Sequence, residues 1–463
     1  MSRYLEMSLG RKFISGLRSR PLVWDTITTT VFSTLGKGAG FLIPFLIAAW
    51  FGISSSTDAF FFAYGIILFL SGVFAPVVES IIVPYIAEAR SKNEDVGAFI
   101  GNVLGISGAG FLALSAFLLA IAKPALSVMT RFDPGTQGLI YRILLEVAPL
   151  IVLMVWSSLL AGSLNAYKKF ALPALSPGFR AVIAILAILA LKGGFGVQAI
   201  AFGYLAGEAV RLAVLLYFIR RKAIFKLRLS FRLAPSMREF LKTASFQAVG
   251  MAVFGISPLI DKTMASWLGK GSVSALYYAD RLYMVPAAFV ESGLMVSVLS
   301  HWSQRYHESG PHQLAADMKK TVKIVGAGSL LITLFLVLLH RPIVNIALNR
   351  GAFDPAWLSQ VGLVWVCLLL GFVPYMLGSI YVRGHIVLKN TNVMMRGAFY
   401  VSFLNVILNY LLMRPFGVAG IALSTSICYA FSYAYVLTKF RKETALSGGL
   451  VAGNPTAKDQ AGI

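Results

Sequence analysis

The chain has 463 residues, 57% of them hydrophobic and only 13% charged, with a mean hydropathy of +0.76. No water-soluble domain of this length carries so much apolar surface, so a soluble enzyme or binding module is excluded and a polytopic membrane protein is expected. The formal net charge of +22 does not indicate nucleic acid, because most of the 41 Lys and Arg fall in the termini and in alternate loops, the distribution that orients a chain in a membrane.

In chain order, residues 1–23 are a basic N-terminus placed in the cytoplasm. The stretch from Met1 to Arg20 has no continuous apolar core and no small-residue cleavage site, so the first span is expected to be an uncleaved insertion signal. Twelve stretches reach the about 20 apolar residues that a bilayer demands. They lie near 24–49, 58–86, 97–122, 137–163, 171–191 and 197–219, then 243–267, 273–300, 324–340, 356–382, 392–413 and 417–438. Between the two sets of six, the linker 220–242 carries Arg220, Arg221, Lys222, Lys226, Arg228, Arg232 and Arg238. Such a segment is expected to rest on anionic lipid. Residues 441–463 turn to Gly, Ala, Ser, Asn and Pro and read as a disordered tail, with both termini cytoplasmic.

The second half replays the first. Phe132-Asp133-Pro134 recurs as Phe353-Asp354-Pro355 and FGVQAIA at Phe195 recurs as FGVAGIA at Phe416, both 221 residues on. Gly162-Ser163 is echoed by Gly378-Ser379 and Arg180 by Arg396, 216 residues apart. Ordered matches at nearly one offset indicate two diverged copies. The fold class is therefore an all-α polytopic membrane protein with about 12 transmembrane helices, in an N-lobe over 24–219 and a C-lobe over 243–440. Two homologous six-helix lobes around a central cavity are the organisation of a transporter with moving halves.

Catalytic motifs are missing from the sequence. Gly36 to Gly40 and Leu268 to Ser272 lack the Gly-Lys-Ser/Thr of a phosphate loop, and the five histidines have no metal-ligand spacing. Neither a cofactor nor a metal is expected, though a coupling ion stays open. Cys367 and Cys428 fall inside spans and read as small apolar residues.

Ionisable residues within spans are costly and are the default functional candidates. Lys37 and Arg281 lie deepest in the first and eighth spans and are the candidate anion-binding cations. Asp58, Asp280, Glu79, Glu291, Asp261 and Lys262 are candidates for coupling or charge balance. Glu79 in Val78-Glu79-Ser80 and Glu291 in Val290-Glu291-Ser292 share a local setting in matching spans. Arg180, Arg211 and Arg396 lie near span ends, where a long side chain can snorkel. Pro44 and Pro258, each preceded by glycines, are candidate hinges.

The run Ser33 to Phe41, TDAFFFAYG at Thr57 to Gly65, VPYIAEA at Val83 to Ala89, LYYADRL at Leu276 to Leu282 and RGAFDP at Arg350 to Pro355 resemble the MurJ (MviN) type lipid II flippases, as does the FGVAGIALSTS run. That family belongs to a wider group with polysaccharide flippases and drug exporters. The resemblance implies a polyprenyl-diphosphate-linked saccharide as cargo, a place in the bacterial cytoplasmic (inner) membrane, and glycan-synthesis enzymes as partners. The chain departs from the pattern as well. A first-span Arg falls on Lys37, an Arg-Asp pair becomes Ile43 and Pro44, and a second-span Arg becomes Ser71, whereas Arg281 beside Asp280 keeps its cation. Twelve spans replace fourteen.

The expected function is thus a flippase for lipid II or an exopolysaccharide or surface-glycan repeat unit, working by alternating access, with no nucleic-acid partner. An ion-coupled exporter of small amphiphilic compounds, like the multidrug exporters of that wider group, is the alternative. A non-transporting scaffold for glycan synthesis is a third reading.

Overall fold

The structure is a computed structural model that describes residues 21–232 and 235–452. Helices are α1 (Pro21–Phe51), α2 (Ser55–Ser91), α3 (Val96–Met129), α4 (Pro134–Ala166), α5 (Ala171–Phe195), α6 (Gln198–Arg221) and α7 (Pro235–Gly255). They continue as α8 (Ser257–Ala265), α9 (Ser272–Leu338), α10 (His340–Leu348), α11 (Ala356–Leu369), α12 (Phe372–Val387), α13 (Thr391–Phe416) and α14 (Val418–Ala452). No strand occurs among the described residues. In hydrocarbon a helix is the economical answer, since it pairs every backbone donor and acceptor within one segment.

Each of the twelve apolar stretches coincides with a helix or a joined pair. Among the described residues nine helices pass the length and apolarity test alone, and a tenth span arises when Ser236–Gly255 and Ser257–Leu268 are taken together, bent by 42°. Two boundaries move. The stretch 301–323 between the eighth and ninth spans is not a loop but a continuation of α9, interrupted at Gly310, whose φ of 76° no regular helix accommodates. The last helix runs to Ala452, so residues 441–452 are helix where a disordered tail was expected. Extending an existing helix fixes one residue per hydrogen bond gained, without a new nucleus. Residues 453–463 and 1–20 lie outside the described residues.

The internal repeat has a structural meaning. Gly196 (φ 53°, ψ −134°) and Gly417 (φ 57°, ψ −135°) end α5 and α13 in the same left-handed conformation, so both FGV sequences break one helix and start the next alike. Asp133 accepts from the Thr136 N–H at 2.9 Å and hydroxyl at 2.7 Å, capping α4, and Asp354 accepts from the Ala356 N–H at 2.9 Å before α11. The Thr136 bonds, side chain first, hold the Asp133 carboxyl below the usual carboxylate range. Phe132 packs edge-on against Phe62 and Phe353 against Tyr278, ring centroids 5.6 and 6.0 Å apart.

The chain forms two compact units, which do not follow its two halves: one holds 1–46, 66–123 and 140–249, the other 47–65, 124–139 and 250–463. In the first, Ile82, Ile86, Ile100, Val155, Leu159, Leu215 and Met237 build a core across α2, α3, α4, α6 and α7. Glu208, fully buried, is paired with Arg211 at 3.0 Å and Arg180 at 3.5 Å. Arg180 of α5 thus reaches Glu208 of α6, and Arg211 of α6 also donates to the Ser176 hydroxyl of α5 at 3.1 Å, so both arginines link the two helices. The linker after α6 runs extended along α3. The carbonyls of Lys226, Arg228 and Ser230 sit against Gly97, Gly101 and Gly105 in turn. Four helical residues rise about 6.0 Å and two strand residues about 6.6 Å, so alternate carbonyls keep step with glycines one turn apart. Asn102 locks this register by accepting from the Arg232 N–H at 2.7 Å and donating to its carbonyl.

Candidate functional site

The second unit gathers several of the candidate charges. Tyr277, buried on α9, stacks on Phe61 of α2 with centroids 3.8 Å apart and planes at 17°. Arg281, one turn along α9, holds its guanidinium carbon 4.8 Å from the Tyr277 centroid, and Lys262 of α8 holds its amine 5.6 Å from it. Two cations on one ring are attracted by its π face but repel each other, so the arrangement gains from an anion. Asp280 supplies part of that balance, its Oδ2 3.6 Å from Arg281 Nη2. Room for the Lys262 amine comes from Gly65, where a methyl group would lie 2.7 Å from Nζ.

Asp261, the neighbour of Lys262, is directed elsewhere because successive helical residues are about 100° apart. Its Oδ1 accepts from Asn409 at 2.7 Å and Asn405 at 3.0 Å, both on α13, and its Oδ2 from the Thr425 hydroxyl of α14 at 3.3 Å. Asp261, Asn405 and Asn409 are buried. Asparagine and threonine each carry a neutral oxygen, so these side chains match the oxygen ligands that hard cations take. Among the described residues no group of three or more His, Cys, Asp or Glu is placed to hold a metal.

Asp58 sits apart from both clusters. Fully buried at the start of α2, it accepts from the Gly271 N–H at 2.5 Å, the Ser274 N–H at 2.7 Å and the Ser274 hydroxyl at 2.6 Å. It thus caps α9 from another helix, where the positive end of the helix dipole favours a carboxylate. Nearby, Tyr278 donates to the Gly52 carbonyl at 3.0 Å and the Ala352 N–H to the Ala49 carbonyl at 2.8 Å.

The remaining candidates are dispersed. Glu291 accepts from the Tyr375 hydroxyl at 3.2 Å, beside a group formed by Tyr283, Tyr375 and Tyr429. Glu79, half-buried on α2, has its backbone carbonyl 2.5 Å from where a methyl group on Gly162 of α4 would lie. Lys37 is on α1, but its side chain lies outside the described residues. Pro44 is buried within an unbroken α1, while Pro258 stands just after the break between α7 and α8. Ile43 is 4% exposed, and Ser71 donates to the Leu68 carbonyl at 3.3 Å.

Sequence reasoning assigned Lys262 to charge balance, not to the cation pair with Arg281. The signal available was Gly65 in the TDAFFFAYG run, a small residue opposite a long cation. Asn405, Asn409 and Thr425 were missed because uncharged amides and hydroxyls in a span carry no cost that marks them individually.

The profile of the family described as "Lipid II flippase MurJ" matches residues 47–456. A probable lipid II flippase MurJ of Synechocystis is 24% identical over 449 residues, covering 93% of this chain and 84% of that protein. The probable lipid II flippase MurJ of Thermotoga maritima is 26% identical over 424 residues, covering 90% and 85%. Among solved structures, a lipid II flippase MurJ in an inward closed conformation superposes with a TM-score of 0.76 at 25% identity, covering 90% of this chain and 87% of that one. An inward-facing multidrug transporter of the MATE family, in the MOP superfamily, gives 0.74 at 14% identity, a likeness of fold alone. A family profile spanning nearly the whole chain, relatives matched along most of their length and a common helical architecture agree, and the chain belongs to the MurJ family of lipid II flippases.

Proposed function

We propose that this chain turns a polyprenyl-diphosphate-linked saccharide, lipid II or a surface-glycan repeat unit of the same chemistry, across the bacterial cytoplasmic membrane by alternating access. As a member of a flippase family it is a transporter and not an enzyme. The observation that carries the reading of the site is the pairing of Lys262 and Arg281 on Tyr277, two cations within reach of one anionic group. A diphosphate offers several charged oxygens, and Arg binds such groups in a bidentate fashion. Lys37, the first-half candidate, is proposed as an anion-binding cation in its own right. The small-molecule exporter is the weaker reading, since a cationic cargo would meet two like charges here.

Asp261 with Asn405, Asn409 and Thr425 is the proposed coupling-ion site. Turning either amide end for end presents its oxygen and gives a monovalent cation one carboxylate and several neutral ligands. Asp280, Glu79 and Glu291 balance charge, Asp58 holds the start of α9, and Pro44 and Pro258 flank the bending regions. The exposed Lys226, Arg228 and Arg232 side chains face anionic headgroups, with both termini cytoplasmic. Glycan-synthesis enzymes acting on the same carrier lipid are the protein partners of this reading.

Depletion of the protein, followed by mass spectrometry of lipid-linked saccharides, tests the assignment. One polyprenyl-diphosphate species should accumulate, and its mass names the sugar. No accumulation in a strain without a second flippase would favour the exporter. Reporter fusions at either terminus should read cytoplasmic, and an external reading would overturn the orientation.

A further inference from the structure

On α8 and α13 lies a half-open groove of about 350 Å³ lined by Met129, Ile256, Leu259, Ile260, Met264 and Val406, with Thr263, Trp267 and Tyr410 completing it. Its polar lining groups are already engaged. The Thr263 hydroxyl donates to the Leu259 carbonyl at 2.9 Å, Trp267 Nε1 donates to the Met129 carbonyl at 2.8 Å, and the Tyr410 hydroxyl accepts from Arg414. What faces the space is carbon. A groove of this lining on membrane-spanning helices suits a hydrocarbon chain and gives a polar molecule nothing to bond.

Trp267 and Tyr410, the two aromatic walls, each carry an exposed arginine: Arg131 lies 5.5 Å from the Trp267 centroid and Arg414 lies 4.2 Å from the Tyr410 centroid. Arg131 follows the end of α3 and Arg414 is in the last turn of α13, while Trp267 closes the turn after α8. An apolar slot with aromatic sides and guanidiniums on them matches a lipid with acyl chains and an anionic head, since aromatic side chains and arginines both favour the headgroup level.

The geometry points to a specific site for an anionic phospholipid on α8 and α13, its acyl chain in the apolar groove and its phosphate between Arg131 and Arg414. The site uses none of the residues assigned to the cargo headgroup. Because α8 is the piece that follows the 42° bend and carries Asp261 and Lys262, a chain seated along Leu259, Thr263 and Trp267 braces the segment that bears both candidate sites.

The test is native mass spectrometry of the purified, delipidated full chain titrated with phosphatidylglycerol or with phosphatidylcholine of the same acyl chains. The wild type should hold one phosphatidylglycerol about tenfold or more tightly than phosphatidylcholine, because both arginines favour a net anionic head. Arg131→Gln with Arg414→Gln should abolish that preference, and Val406→Phe, which fills the slot, should weaken both lipids. Equal binding of the two lipids by wild type overturns the site, as does an undiminished preference in the arginine double variant or undiminished affinity in Val406→Phe. Displacement of phosphatidylglycerol by an equal amount of polyprenyl phosphate would assign the slot to the cargo tail instead. A dimer mass lost in Val406→Phe would assign it to a second copy, and either result defeats the proposal.

Discussion

At the scale of single residues, several of the charges within spans hold helices together. Glu208 with Arg180 and Arg211, and Asp58 with the first turn of α9, are satisfied within the protein and hold helices in place. Lys262 and Arg281, 5.6 and 4.8 Å from the Tyr277 ring centroid and Arg281 paired with Asp280, are the cations proposed to bind. Removing Asp58 leaves the Gly271 and Ser274 donors without their acceptor, which costs about 1–3 kcal/mol. Asp58→Ala should therefore lower the thermal midpoint in detergent, with Asp58→Asn closer to wild type; an unchanged midpoint for both would refute the capping role. Gly65 gives a sharper probe, because its substitution touches no charge. A methyl group there would meet the Lys262 amine at 2.7 Å and push it from Tyr277. A cation–π contact in a desolvated setting is worth about 1–2 kcal/mol, so Gly65→Ala should weaken glycolipid binding by about tenfold, as Lys262→Gln should. If binding by Gly65→Ala equals wild type, the amine does not act where the structure places it.

At the scale of elements, the helices were legible in the sequence because their apolar length sets them apart, and their ends were legible wherever glycine or aspartate marks a stop or a cap. Gly196 and Gly417, Asp133 and Asp354 are the visible cases, and each performs the same local task in its own half. The continuation of α9 through 301–323 was not legible, since a polar helix outside the bilayer has no hydropathy signal and only Gly310 interrupts it. The linker was read correctly as basic but not as an extended strap. Its seat is a stripe at Gly97, Gly101 and Gly105, and glycines one turn apart read equally well as a helix–helix contact. Gly101→Val would thrust a branched side chain into the Arg228 carbonyl, at a cost of about 1–3 kcal/mol for overpacking. The variant should release the strap, and limited trypsin digestion should cut at Lys226 and Arg228 faster than in wild type; equal cleavage rates would show that the stripe does not hold it.

At the scale of the whole molecule, the repeat and the hydropathy defined a transporter, and the family match extends that from architecture to activity. The candidate site was half legible. Arg281, Asp261 and Lys262 were legible as candidates because a charge in a span is conspicuous. What sequence alone did not bring together was the grouping: Lys262 with Arg281 on one ring, and Asp261 with two asparagines and a threonine drawn from helices more than 140 residues away. The most direct measurement is the lipid-linked saccharide pool of a depletion strain complemented with wild type or with Lys262→Gln plus Arg281→Gln at equal membrane abundance. The account predicts that the double variant accumulates the polyprenyl-diphosphate species in the cytoplasmic leaflet as the depleted strain does; normal export by that variant would contradict it.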